Sequence, residues 1–260
     1  MPPINKVLLK SIEQLAYEAG VAIMQVYRRA FTVELKADNT PLTEADKAAH
    51  VIIVGGLKAL TPDVPVLSEE DTQHFSGPNP EGFYWLVDPL DGTKEFIKRN
   101  DEFTVNIALI AQSKPVLGVI VAPALNLTYL AAEGLGAFKA SADEQWQKIQ
   151  ASLPPIEGQP WRVLGSRSHA DSRMSSWLEV LGEHEFQAMG SSLKSCLIAE
   201  GKADVYPRFG PTSLWDTGAA QVIVEQAGGR VVTFENQSLS YATPDHVLNP
   251  DFVVWGSVRS

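Results

Sequence analysis

A chain of 260 residues, 45% hydrophobic and 20% charged, has material for a sizeable core in one large domain or two small ones. Its formal net charge of −10 argues against general affinity for nucleic acid or anionic lipid, so a phosphorylated ligand needs local compensation from metal ions or a few placed cations. One cysteine, Cys196, excludes an internal disulfide; its first reading is a small buried helix residue, and it fits a reducing compartment. No apolar run has membrane length and the first residues lack a secretory pattern, so the expected address is the cytoplasm.

Ile4, Val7, Leu8, Ile12, Leu15, Ala19, Ile23 and Val26 recur at helical spacing, with Gly20 as the weak point of that helix. A second helix is expected over 45–60, introduced by Thr43 and Asp46 as a capping pair. A short strand at 64–67 runs into Ser68-Glu69-Glu70. Strands at 83–87, 104–110, 116–121 and 127–132, punctuated by Lys114-Pro115 and Pro123, suggest an antiparallel meander. Gly134-x-Gly136 is too weak to read as a nucleotide loop and is expected to make a tight turn. The polar, proline-containing stretch 141–160 marks a domain boundary, giving an α+β unit over 1–145 and an α/β unit over 146–260. In the second unit, strands at 162–164, 186–188, 204–206, 230–234 and 252–255 alternate with helices at 172–181, 192–201 and 217–227, which implies an α/β layer.

The chemistry concentrates in Trp85-Leu86-Val87-Asp88-Pro89-Leu90-Asp91-Gly92-Thr93. An apolar strand delivers two carboxylates, three residues apart, into a turn; Pro89 is expected to end ladder pairing, and Gly92 permits unusual backbone angles. Two carboxylates a few ångström apart repel, so one stays protonated or a cation sits between them. Hard oxygen ligands suit Mg²⁺ or Mn²⁺. Asp46, Glu69 and Asp216 also stand at element ends, where side chains converge while backbones stay fixed. Each acid has a plainer alternative: Asp46 and Asp216 as helix caps, Glu69 as a solvated loop charge, Asp88 before Pro89 as a turn-former. Spacing alone does not bring the five together.

Asp88-Pro89-Leu90-Asp91-Gly92-Thr93, with Glu69-Glu70 upstream and Trp215-Asp216 followed by Ala219-Ala220 downstream, resembles the inositol monophosphatase superfamily in order and approximate spacing over nearly the whole chain. Lys94-Glu95-Phe96, Gly190-Ser191-Ser192-Leu193-Lys194, the stretch from Ala203 to Arg208 and Gly210-Pro211-Thr212-Ser213 resemble its bacterial 3′(2′),5′-bisphosphate nucleotidase branch. Gly218, where alanine is common, is a small departure beside the acid.

The resemblance implies a layered αβαβα sandwich and a lithium-sensitive phosphomonoesterase using two or three Mg²⁺ ions. It implies Glu69, Asp88, the Leu90 carbonyl, Asp91 and Asp216 as metal ligands, and Asp46 and Thr93 as the pair that orients and deprotonates the attacking water. Gly92, Thr93, His169, Ser191, Lys194, Arg208 and Asp216 would meet the substrate. Arg208 suits a phosphate fork, Lys194 a mobile point charge, and Ser191 a helix start with free amides. Tyr206 reads as strand core before it reads as an adenine platform. The implied substrate is adenosine 3′,5′-bisphosphate, in connection with sulfate assimilation, and the implied assembly a monomer or homodimer. A sugar or inositol phosphatase, and a non-catalytic nucleotide- or metal-binding module, remain open at this point.

Overall fold

The structure, a computed structural model, describes residues 3–35, 41–141, 145–166, 172–242 and 246–257. His169 lies outside the described residues. In chain order the elements are α1 (Lys6–Tyr27), β1 (Val33–Leu35), β2 (Pro41–Thr43), α2 (Glu44–Leu60), β3 (Val66–Ser68), β4 (Phe83–Asp91), α3 (Thr93–Lys98), β5 (Thr104–Ala111), β6 (Lys114–Ala122), β7 (Leu127–Ala132), β8 (Gly136–Ser141) and β9 (Gln147–Lys148). There follow β10 (Trp161–Ser166), α4 (Ser172–Leu181), β11 (His184–Met189), α5 (Leu193–Ala199), β12 (Val205–Arg208), α6 (Leu214–Gln226), β13 (Arg230–Thr233) and β14 (Phe252–Trp255).

Strands β3 to β9 form one sheet in chain order, antiparallel except for the parallel β3–β4 pair. A second sheet has the order β11-β10-β12-β14-β13 and mixes parallel and antiparallel neighbours. The strands of the first sheet read as near-continuous apolar runs because both their faces are covered. On β4, Trp85 and Val87 join α1 and α2 residues in one core, while Tyr84 and Leu86 join α5 and α6 residues in the other. Trp177 and Leu178 of α4 close the far side, against Val163, Val205 and Val253 of the second sheet. The layers are therefore α1/α2, sheet, α5/α6, sheet, α4: an α/β sandwich of αβαβα type. Helix α6 is buried around most of its circumference, as a helix between two sheets must be.

Helix α1 runs unbroken through Gly20, its first turn capped by Asn5, whose side chain accepts from Val7 and Leu8 amides. Gly134 and Gly136, at φ 76° and 88°, frame the turn between β7 and β8. Pro89 does not end β4. Asp88 pairs with Asn106 and Asp91 with Thr104, three residues of β4 spanning two of β5, so the ladder skips Pro89 and Leu90 as a bulge and resumes. A bulge re-aims side chains, and this one turns a strand end into a site. Among the described residues no helix is long and apolar enough to cross a membrane.

Candidate metal and phosphate site

The bulge and two helix starts bring the acids together. Oxygens of Asp88, Asp91 and Asp216 lie within 4.8 Å of one another. At that separation each ionised pair repels by roughly 3 kcal/mol at an effective dielectric constant of about 20. Burial raises the Asp88 carboxyl well above the usual range, reinforced by the charges of Glu69, Asp91 and Asp216. Burial, then Asp91, pushes Asp216 up to about 8. Glu69 follows β3, its amide donating to Val87 O at 3.0 Å, and lines the same cavity of about 520 Å³.

Four of the acids are held by hydrogen bonds from the protein. Asp46 accepts the Thr43 amide (2.8 Å) and hydroxyl (2.6 Å) at Oδ2, closing the capping box of α2, while Thr93 Oγ1 lies 3.3 Å from Oδ1. Asp216 accepts the Ser213 amide at Oδ2 (2.9 Å) in the capping box of α6. Asp91 Oδ2 accepts the Ser192 amide and hydroxyl, both at 2.7 Å, and Asn106 Nδ2 at 3.3 Å. Asp88 Oδ1 accepts the Leu90 amide at 3.0 Å. Capping and site geometry are thus the same contact for Asp46 and Asp216. Asp46, 1% exposed, sits behind Thr93 rather than on the cavity wall.

Gly92, at φ 90°, turns the chain from β4 into α3 and sets Thr93 as its first residue. A Cβ at Gly92 would stand 3.0 Å from Glu102 O, so bulk is refused on steric grounds as well. Thr93 Oγ1 also lies 3.3 Å from Leu90 O, beside the proposed ligand carbonyl.

A second cavity of about 130 Å³ adjoins the first and shares Asp91, Gly92, Lys94, Glu95 and Asp216 with it. Ser191, Lys194, Tyr206 and Arg208 line it. Two expectations change in detail. Lys194 is 7% exposed and anchored: its Nζ donates to Ser191 O (2.6 Å) and Met189 O (3.3 Å), over the Tyr206 ring. Burial lowers its pKa to about 8. Ser191, at φ 47°, precedes the α5 N-cap, and the Ser192 amide is already held by Asp91 instead of facing a ligand. Arg208, 8% exposed, donates from Nη2 to Pro211 O, and its buried Nε has no hydrogen-bond partner. Tyr206 is 5% exposed in β12, with its ring also lining this cavity. Cys196 is free and buried in α5.

Thr43 orients Asp46 as the capping pair expected from the sequence, whereas two contributors that orient Asp91, Ser192 and Asn106, were not singled out there. Ser192 lay inside a recognised motif, but its hydroxyl bonds both to Asp91 and, at 2.9 Å, to the Asp216 carbonyl, a link that only the fold creates.

An acidic cluster at a bulge, backed by capped helix starts and flanked by a cation-lined cavity within an αβαβα sandwich, defines a metal-dependent phosphatase class. The chain belongs to the inositol monophosphatase family, whose model matches residues 5–255. It is 50% identical over 249 residues to the 3′(2′),5′-bisphosphate nucleotidase CysQ of Escherichia coli strain K12, covering 95% of this chain and 99% of that one. The like-named Haemophilus influenzae protein is 40% identical over 259 residues, with 98% and 95% covered. The crystal structure of CysQ from Bacteroides thetaiotaomicron matches with a TM-score of 0.81 and 38% identity over 99% of each chain.

Proposed function

We infer that this chain is a 3′(2′),5′-bisphosphate nucleotidase, a phosphomonoesterase that removes the 3′-phosphate of adenosine 3′,5′-bisphosphate to give AMP and phosphate. The observation that carries the reading is the adjacency of two cavities that share Asp91, Glu95 and Asp216: the first adds Glu69 and Asp88, the second adds the cations Lys194 and Arg208. A substrate with two phosphates on one ribose has a group for each. Inositol monophosphate has one phosphate and leaves the second cavity's cations without an anion.

The donor set fits divalent ions: every proposed ligand is an oxygen, and the raised carboxyls of Asp88 and Asp216 mark a cluster that gains from added positive charge. Glu69, Asp88, the Leu90 carbonyl, Asp91 and Asp216 would hold two or three Mg²⁺ ions, with Mn²⁺ as an alternative. When bound, the ions supply charge to the phosphoryl oxygens and the departing ribose oxygen. Thr93 donates its hydroxyl hydrogen to Asp46 and keeps lone pairs for a proton of the attacking water, so the proton moves from water through Thr93 towards Asp46. The new P–O bond forms from that water, the bond from phosphorus to the ribose O3′ breaks, and O3′ leaves protonated from solvent. Arg208 and Lys194 neutralise the second phosphate, with Ser191 and His169 as further substrate contacts.

The test is Mg²⁺-dependent phosphate release from adenosine 3′,5′-bisphosphate, inositol monophosphate and fructose bisphosphate. The nucleotide should be preferred by at least about tenfold in kcat/KM, a margin expected when charged contacts go unmade. Preference for either sugar phosphate overturns the substrate assignment. In Arg208→Ala, KM for the nucleotide should rise about tenfold or more.

A further inference from the structure

Glu95 is the residue of this site that the mechanism leaves unused. It lies on α3, is 8% exposed, and lines both cavities where they meet. Its stem is pinned: a Cβ at Gly190 would stand 2.7 Å from Glu95 Cγ, so the backbone of the Gly190 turn touches the side chain directly. A pinned side chain holds one direction without losing further rotamer freedom when it binds.

The carboxylate lacks a protein partner of the usual kind. Among the described residues no side chain donates to it, and Lys194 and Lys98 act on it only as nearby charges. Lys194, the nearest candidate for a counter-ion inside the cavity, spends its ammonium on the Met189 and Ser191 carbonyls instead. Burial is the largest cause raising the Glu95 carboxyl above its usual range, as befits an acid short of donors. A pinned carboxylate at the wall where two cavities meet, with no protein side chain donating to it, is placed to accept a hydrogen bond from a donor on the ligand.

The other residues shared by the two cavities cannot take that donor. Asp91 Oδ2 is already filled by Ser192 and Asn106, and Asp91 and Asp216 belong to the acid cluster. Gly92 has no side chain, and Lys94 only donates. On the substrate side, a phosphate beside Glu95 would add like charges. Between the two phosphates of the bisphosphate lies the ribose, and its 2′-hydroxyl is the donor there.

We propose that Glu95 accepts a hydrogen bond from the ribose hydroxyl next to the scissile phosphate and so selects ribonucleotide over deoxyribonucleotide bisphosphates. This rests on the nucleotidase reading above.

The experiment compares kcat/KM for adenosine 3′,5′-bisphosphate and its 2′-deoxy analogue in the wild type, Glu95→Gln and Glu95→Ala, all with saturating Mg²⁺. The wild type should prefer the ribonucleotide by about tenfold or more, as sites built around a substrate hydroxyl do. The preference should fall to about unity in Glu95→Ala and survive in part in Glu95→Gln, whose amide oxygen still accepts. The ratio is internal to each protein, so partial loss of folded enzyme does not shift it, and Glu95→Gln, close to isosteric, serves if the alanine variant does not fold. A wild-type ratio near unity, or a wild-type ratio preserved in Glu95→Ala, overturns the proposal. So does a Glu95→Ala enzyme that keeps the ribose preference but loses discrimination against inosine 3′,5′-bisphosphate, since Glu95 would then read the base. Absence of phosphate release from both adenosine nucleotides by the wild type is a different failure: it removes the nucleotidase reading itself.

Discussion

Thr93 and Asp46 illustrate how one side chain serves the fold and the reaction together. Asp46 gives Oδ2 to the Thr43 cap and Oδ1 to the Thr93 hydroxyl, so the cap fixes the orientation of the proton acceptor. Asp91 and Asp216 follow the same division, with one oxygen spent on protein donors. The plainer reading of Asp46 and Asp216 as helix-start residues therefore holds alongside the functional one. Thr93→Ala should lower kcat by about 100-fold or more, the range of a lost acid–base partner. KM for Mg²⁺ should stay within about twofold and Tm within about 3 °C, since Thr93 is partly exposed at a helix start. Loss of turnover together with a large Tm drop would mean that the turn is chiefly structural. Legibility at this scale is uneven. The acids were readable because motif order singles them out. Ser192 and Asn106 were not, because their contacts with Asp91 cross 101 and 15 residues of sequence and exist only once the elements are stacked.

Helix α6 carries Asp216, and its placement depends on a strand glycine. A Cβ at Gly118 of β6 would stand 2.5 Å from Ala219 O and 2.6 Å from Val222 Cγ1, with backbone as the nearer obstacle. Gly118→Ala must push α6 away from the sheet, at a cost of about 1–3 kcal/mol typical of overpacking. Because Asp216 rides on α6, apparent Mg²⁺ affinity should weaken as well; an unchanged Mg²⁺ requirement at reduced Tm would show that the helix start is insulated from its body. Gly55, on α2, is the contrast. A Cβ there meets nothing within 4 Å, so Gly55→Ala should stabilise by about 0.5–1 kcal/mol through helix propensity alone. Both are read by thermal unfolding with and without Mg²⁺. The long elements were legible, α4 to the residue, since periodicity and apolar runs report burial directly. The elements missed were β1, β2, α3, β8 and β9, all of two to six residues, too short for a period to show. Pro89 misled for a physical reason: it breaks a ladder locally, yet a bulge lets the strand continue past it.

At the scale of the whole molecule, the acid cluster lies where the two halves of the chain meet. Asp88 and Asp91 come with the first sheet and Asp216 with α6, which packs between the sheets, so folding itself gathers the charges. The division at 145/146 suggested by the sequence remains our proposal for the domains, with the core of α5 and α6 residues shared across it. Gathering acids makes metal-free stability fall with rising pH. Asp216 titrates near 8 when folded against 3.8 as its ordinary value, and Asp88 is raised too. Between those limits the folded state holds protons that the unfolded chain has released, so stability is lost as pH rises through the window. His50 works the other way, its pKa lowered chiefly by burial, but its contribution is confined to pH values below its ordinary 6.5. Lys194, lowered by burial to about 8, also opposes the trend as pH nears 8, so the decline is steepest in the lower part of the interval from pH 6.5 to 8. In chelator, Tm should decline across it; with Mg²⁺ the decline should flatten, because cations replace the protons, and the gain from Mg²⁺ should be larger at pH 8 than at pH 6.5. Asp216→Asn should flatten the metal-free profile without any added ion. A metal-free Tm that rises through this interval would mean that the acids are neutralised by the protein, and that the cluster is no metal site.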